Sequence, residues 1–194
     1  MAKLYFRYGA MNSGKSTALL QVAFNYEERG QRVLLAKPAI DSKGDNQIVS
    51  RLGVSRTVDF LIFPDSNLRD LTSSHSVGEP AIACLLVDEA QFLTSAQVDQ
   101  ALELAVLQGI PVLAYGIRTD FLTVSFPGSR RLLEIAHSLE ELKTICRCGK
   151  KAMFNGRLQG GKFTFSGDQV AIDGESVSYE SLCSACYFVE RGIH

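Results

Sequence analysis

Gly9, Gly14, Lys15 and Ser16 fall in the order G-x-x-x-x-G-K-S inside the run YFRYGAMNSGKSTALL. Glycines in such a loop let successive backbone N–H groups converge on phosphate oxygens, and the positive end of a following helix adds its dipole. Lys15 would reach the β- and γ-phosphates of a bound nucleotide, and the Ser16 hydroxyl would complete the shell of its Mg²⁺. Gly9, Ala10, Met11, Asn12, Ser13, Gly14, Lys15 and Ser16 are therefore the expected nucleotide-binding residues. The loop alone does not say what is done with the nucleotide. A second acidic element does, and AIACLLVDEAQFL supplies it. Asp88 closes an apolar run and is placed to hold Mg²⁺ through water. Glu89 follows on the other side of the strand end, where an attacking hydroxyl would sit.

Four of the five cysteines form two close pairs, CRC and CSAC, too few for a disulfide scaffold and spaced as metal ligands are. Cys84 lies inside the apolar run before Asp88 and reads as a buried small residue. His75, His137 and His194 stand in no ligand or triad spacing, and the basic runs at 129–131 and 149–151 read as solvated faces.

These residues need a frame. Residues 3–8 read as a strand entering the loop, and 15–29 as a helix with Leu19, Leu20, Val22, Ala23 and Tyr26 inward, stopped by Gly30. RVLLAKP, IACLLVDE and IPVLAYG are short, continuously apolar runs, the pattern of parallel strands buried on both faces. Between the last two, a helix capped by Thr94 or Ser95 runs to Gly109 with Ala101, Leu104, Ala105 and Leu107 inward. The polar stretch from Pro38 to Ser50 reads as a loop. After about residue 143 the chain turns Gly-rich with short alternating runs and no helix-length pattern. The expected organisation is an α/β domain over 1–143, a mostly parallel sheet flanked by helices, and a small β-rich module over 144–194.

At 194 residues and 46% hydrophobic content the chain can bury one sizeable core with a small satellite. Twenty Lys and Arg against 21 Asp and Glu leave a net charge of −1, which offers no global field for nucleic acid or membrane. No stretch of about 18 apolar residues is present, and MAKLYFRYGA lacks the layout of a signal peptide. No membrane partner and no nucleic-acid partner are expected, and the cytoplasm is the expected location.

The set GAMNSGKST, VDEAQFL, YGIRTDF, FPGS and the paired cysteines resembles the thymidine kinases of the type shared by bacteria and the animal cytosol, from Lys3 to Tyr187. The resemblance implies a P-loop, RecA-like fold and transfer of the γ-phosphoryl group of ATP to the 5′-hydroxyl of thymidine, with Glu89 as general base. It implies a nucleoside site of Met11 (near the thymine methyl), Phe92, Phe121, Phe126, Ile172 and Tyr179. Cys146, Cys148, Cys183 and Cys186 would hold a structural Zn²⁺ that anchors a "lasso" over the base. Deoxyuridine as a weaker substrate, thymidine triphosphate as feedback inhibitor, a homotetramer and a role in nucleotide salvage are implied as well.

Two departures stand out. The first pair is C-R-C where many members have C-x-x-C, a tighter bite. IDGESVSY is one residue longer between Ile172 and Tyr179 than the common IGG form, so base contacts before Tyr179 are placed only to within a residue. Arg118 and Asp120 either orient their loop or bind substrate. DEAQ is also similar to the D-E-A-D signature of helicases, but such motors need two domains, roughly 300 residues. A nucleotide-driven switch whose ribbon grips a strand, and a kinase of another nucleoside, are the alternatives.

Overall fold

The apolar runs become neighbours in one sheet. A computed structural model of the chain describes residues 1–39, 46–170 and 177–193. In chain order these carry β1 (Leu4–Tyr8), α1 (Lys15–Glu27), β2 (Arg32–Pro38), β3 (Gln47–Val49), β4 (Ser55–Thr57), β5 (Phe60–Ile62), α2 (Leu68–Ser74) and β6 (Ile82–Val87). A 3₁₀ turn (Ala90–Phe92), α3 (Ser95–Leu107), β7 (Val112–Gly116), α4 (Pro127–Ile135) and β8 (Ser138–Glu141) follow. The main sheet has the order β5-β2-β6-β7-β1-β8 and is parallel throughout.

Alternation within the continuous apolar runs explains why both sheet faces are covered. Val33, Leu35, Cys84, Leu86 and Leu113 point to one side, where α1 lays Leu19 and Ala23 on them. Leu34, Ala36, Leu85, Val87, Val112 and Ala114 point to the other, against Val98, Ala101, Leu104 and Ala105 of α3 and Leu132 of α4. A strand with period-2 side chains can be apolar at every position only when both faces are buried. Of the residues expected inward on α1, Leu20, Val22 and Tyr26 are half-buried at the margin of this core. Thr94 is the N-cap of α3, its side chain accepting from Gln97 N–H while Gln97 reaches back to Thr94 N–H.

Four expectations need correction. Leu107 is 70% exposed rather than inward. At about 100° per residue it falls off the edge of the stripe formed by Val98, Ala101, Leu104 and Ala105. The stretch from Pro38 to Ser50 is not all loop, because Gln47–Val49 pair antiparallel with Ser55–Thr57 and bury Ile48 against the α1 face. Residues 40–45 lie outside the description. Ser129 is fully buried rather than part of a solvated face, its hydroxyl donating to Ile117 O.

The fourth correction concerns the C-terminal part. It holds β9 (Thr144–Ile145) paired with β10 (Lys151–Ala152), the sheet β12-β11-β13 from Phe154–Gln159, Lys162–Thr164 and Val177–Leu182, and a helix, α5 (Ser184–Glu190). That helix is too short to show a period in the sequence, and its cap is the Sγ of Cys183, which accepts from Cys186 N–H. Its Tyr187 is buried among Cys146, Ala152, Leu182, Phe154 and Phe165, a second small core. Among the described residues no helix is long and apolar enough to cross a membrane.

Candidate functional site

The glycine loop leaves β1 and turns directly into α1. Gly9 donates its N–H to Gly116 O on β7, and a Cβ on Gly9 would lie 2.4 Å from both Leu142 O and Ser13 Oγ, so bare backbone is required. Asn12 and Gly14 are left-handed, with φ of 65° and 77°. Gly14 caps α1 with no side-chain hydrogen bond, which leaves the first N–H groups of the helix available to an anion. Lys15 Nζ donates to Ala10 O at 2.9 Å, curling over the loop. Burial draws the Lys15 ammonium below its ordinary range, against the pull of Glu89 and Asp88.

Asp88 follows β6, tied to β2 through its N–H to Ala36 O, and its Oδ2 accepts from Ser16 Oγ at 3.0 Å. Burial, then the charge of Glu89, raises the Asp88 carboxyl to about 6, while the Ser16 hydroxyl opposes the shift. Glu89 itself is left-handed at φ 49°, a strained conformation for a non-glycine residue and one that recurs at functional sites. Gln91 Nε2 donates to the Glu89 carboxylate.

These groups border an open cleft of ≈ 1200 Å³, lined by Met11, Asn12, Gly14, Lys15, Ser16 and Glu89 and by the rings of Phe92, Phe121, Phe126 and Tyr179. Phe92 and Phe126 meet edge to face at 5.3 Å. Arg157 from β11 stacks on Phe121 at 3.7 Å, donates from Nε to Tyr179 Oη at 3.1 Å and from Nη2 to Gln169 O at 3.0 Å. Gly9, Ala10, Ser13 and Asp88 stand behind this lining rather than in it. Ile172 lies outside the described residues.

The small module is pinned to the glycine loop by contacts that the sequence does not signal. Met11 N–H donates to Asn155 Oδ1 at 2.7 Å, Asn155 Nδ2 donates to Thr119 O at 3.1 Å, and Ser181 Oγ donates to Met11 O. Asn155 is only 3% exposed. Lys37, Arg51, Gln91, Asn155 and Ile117 are further cleft-lining residues that sequence reasoning missed. Gln91 was visible inside EAQFL; no pattern marks the others. Asp120 lines the cleft, and its Oδ1 accepts from Leu122 N–H and Val124 N–H of its own loop, both at 2.8 Å. Arg118 is half-buried and outside the cleft lining.

Cys146, Cys148, Cys183 and Cys186 bring their four Sγ atoms within 4.8 Å of one another. Tetrahedral zinc at about 2.3 Å from each sulfur would set the sulfurs about 3.8 Å apart, so the set fits. The tight C-R-C bite is accommodated by the turn between β9 and β10, where Cys146 N–H donates to Lys150 O and Gly149 N–H to Cys146 O. The backbone N–H of Cys186 helps hold the Cys183 thiol below its usual range. Cys186 is pushed up to about 12 by the three sulfurs around it.

A glycine loop between strand β1 and helix α1 of a parallel sheet, facing an acidic pair at the end of β6, is the strand–loop–helix setting that the G-x-x-x-x-G-K-S spacing calls for. The family model described as Thymidine kinase matches residues 2–187. The chain is 49% identical over 185 residues to a protein named thymidine kinase from Idiomarina loihiensis, covering 94% of each. It is 48% identical over 189 residues to one from Legionella pneumophila (strain Paris), covering 96% of this chain and 90% of that protein. For one from Shewanella oneidensis the identity is 46% over 185 residues, 94% of this chain and 95% of that protein. The chain belongs to the thymidine kinase family.

Proposed function

We propose that the chain transfers the γ-phosphoryl group of ATP to the 5′-hydroxyl of thymidine, in nucleotide salvage. The observation that carries this reading is the meeting, in one cleft, of Lys15, Ser16 and Glu89 with a wall of aromatic rings. The glycine loop, residues 9–14, and the uncapped start of α1 would wrap the phosphates, and Lys15 would follow the transferred group. Ser16 and Asp88 would hold Mg²⁺, which supplies charge neutralisation across the β- and γ-phosphates. Glu89 accepts the proton of the attacking hydroxyl. Met11, Phe92, Phe121, Phe126 and Tyr179 receive the nucleoside, and Ile172 is assigned there from the family resemblance.

The four thiolates hold a structural zinc that orders the small module, and we place the division between the two domains at 143/144. A cytoplasmic homotetramer, inhibited by thymidine triphosphate, is the assembly the family resemblance supports. The test is ADP formation from ATP with each of the four deoxynucleosides and with single-stranded DNA. Thymidine alone should drive it efficiently. Equal use of deoxycytidine would overturn the nucleoside assignment, and stimulation by single-stranded DNA without thymidine would favour a nucleotide-driven switch.

A further inference from the structure

Gln91 is 2% exposed in the 3₁₀ turn directly after the Asp88–Glu89 pair, and both ends of its amide are committed. Its Oε1 accepts the backbone N–H of Ile117 at 3.2 Å. A backbone N–H can only donate, so the amide orientation is set by the chain itself: oxygen toward Ile117, NH₂ toward Glu89. That NH₂ donates to Glu89 Oε2. Gly116 leaves the room this needs, since a Cβ there would stand 2.7 Å from Gln91 Oε1 and 3.0 Å from Gln91 N. Ile117 lines the cleft and Gly116 ends β7, so the central strand of the sheet supports the amide rather than a loose loop.

Glu89 needs such support. It occupies a left-handed backbone conformation that favours glycine, and a strained residue of this kind persists only where its surroundings hold it. We propose that Gln91 is the positioning residue of Glu89: clamped by Ile117, it aims one carboxylate oxygen and leaves the other for the substrate hydroxyl. This rests on Glu89 being the general base. The arrangement follows the logic of a base oriented by a third group, whose loss weakens the reaction without removing substrate contacts.

The experiment is a double-mutant cycle on the zinc-loaded full chain, with kcat and KM for ATP and thymidine measured for the parent, Gln91→Glu, Glu89→Gln and the double variant. Gln91→Glu keeps the volume and the acceptor for Ile117 N–H but replaces the donor facing Glu89 with an oxygen. We expect it to lower kcat about 10- to 100-fold with both KM values within about threefold. In the Glu89→Gln background the same substitution should change kcat by less than about threefold, because a residue acting through Glu89 has nothing left to position. Losses that multiply, or a Gln91→Glu enzyme with parental kcat beside a crippled Glu89→Gln enzyme, would overturn the inference. Parental kcat in Glu89→Gln would instead overturn the base assignment, and the inference with it. Gly116→Ala is the second route should Gln91→Glu not fold: it displaces the amide and leaves its chemistry intact. It should lower kcat in the parent and not in the Glu89→Gln background; equal losses in both would overturn the inference.

Discussion

At the scale of single residues, the two acids at the end of β6 differ in what their surroundings ask of them. Glu89→Gln should lower kcat by about 10²- to 10⁴-fold, the usual range for positioned acid–base catalysis, with ATP affinity nearly unchanged. Near-parental turnover would remove Glu89 from the mechanism. Asp88 should reveal itself in stability instead. Its carboxyl titrates at about 6 in the fold against 3.8 unperturbed, so the folded chain binds the extra proton between those values. Stability therefore falls as pH rises through that window, and the burden of a buried, unneutralised charge is complete above it. In nucleotide- and magnesium-free protein, Asp88→Asn should raise the Tm at pH 7.5 by a few degrees, equivalent to on the order of 2 kcal/mol, and leave it unchanged near pH 4. The same variant should turn over poorly. Thermal melts at the two pH values check the sign, and a Tm lowered at pH 7.5 would contradict it.

At the scale of elements, the cysteine cluster ties β9, β10, β13 and α5 into a unit whose apolar core is small. Phe154, Phe163 and Phe165 shelter Tyr187, and Tyr187 Oη donates to Phe121 O at 2.7 Å, so the cysteine end of the module is mechanically continuous with the cleft wall. Purified protein should carry one zinc per chain, independent of Cys84, which is buried in β6. Structural zinc is worth roughly 10 to 16 kcal/mol in small sites at neutral pH. Cys148→Ser and Cys183→Ser should each lose the metal and raise the KM for thymidine, while ATP binding at the glycine loop survives. Metal analysis beside thymidine kinetics reads both; zinc retained in full by both Cys146→Ser and Cys148→Ser would exclude the C-R-C pair from the ligand set.

At the scale of the whole molecule, the cleft is a joint product of distant segments. Met11 comes from the glycine loop, Phe121 and Phe126 from the stretch after β7, and Tyr179 and the Arg157 that steadies it from the small module. Base choice belongs to this scale. Thymine offers an N3–H donor between two carbonyl acceptors, whereas cytosine offers a bare N3 beside an amino donor. A pocket that satisfies one faces the other with like groups, at about 1 to 3 kcal/mol for each unsatisfied buried group. Deoxycytidine should therefore be worse than thymidine by roughly two orders of magnitude or more in kcat/KM. Deoxyuridine lacks only the methyl assigned to Met11 and should fall by roughly ten- to a hundred-fold at most. Met11→Ala should narrow that gap without admitting deoxycytidine, and kcat/KM for the three nucleosides on both proteins measures it.

The glycine loop, the acidic pair, the strand runs and the paired cysteines were legible in the sequence because each is local. The loop's geometry needs its glycines within a few residues, apolar alternation reports burial on both faces, and thiolates at short spacing have few other uses. Leu107, the strand at Gln47–Val49 and the short α5 were misread because a helix edge, a hairpin and a seven-residue helix are settled by what packs on them. Only the tertiary structure decided that Asn155 bonds both Met11 and Thr119, that Arg157 spans Phe121 and Tyr179, and that Ile117 orients Gln91 toward Glu89. Those contacts join residues far apart in the chain through single polar atoms. A single Asn, Arg or Gln has no period and no spacing, so its partner exists only once the backbone has brought the two together.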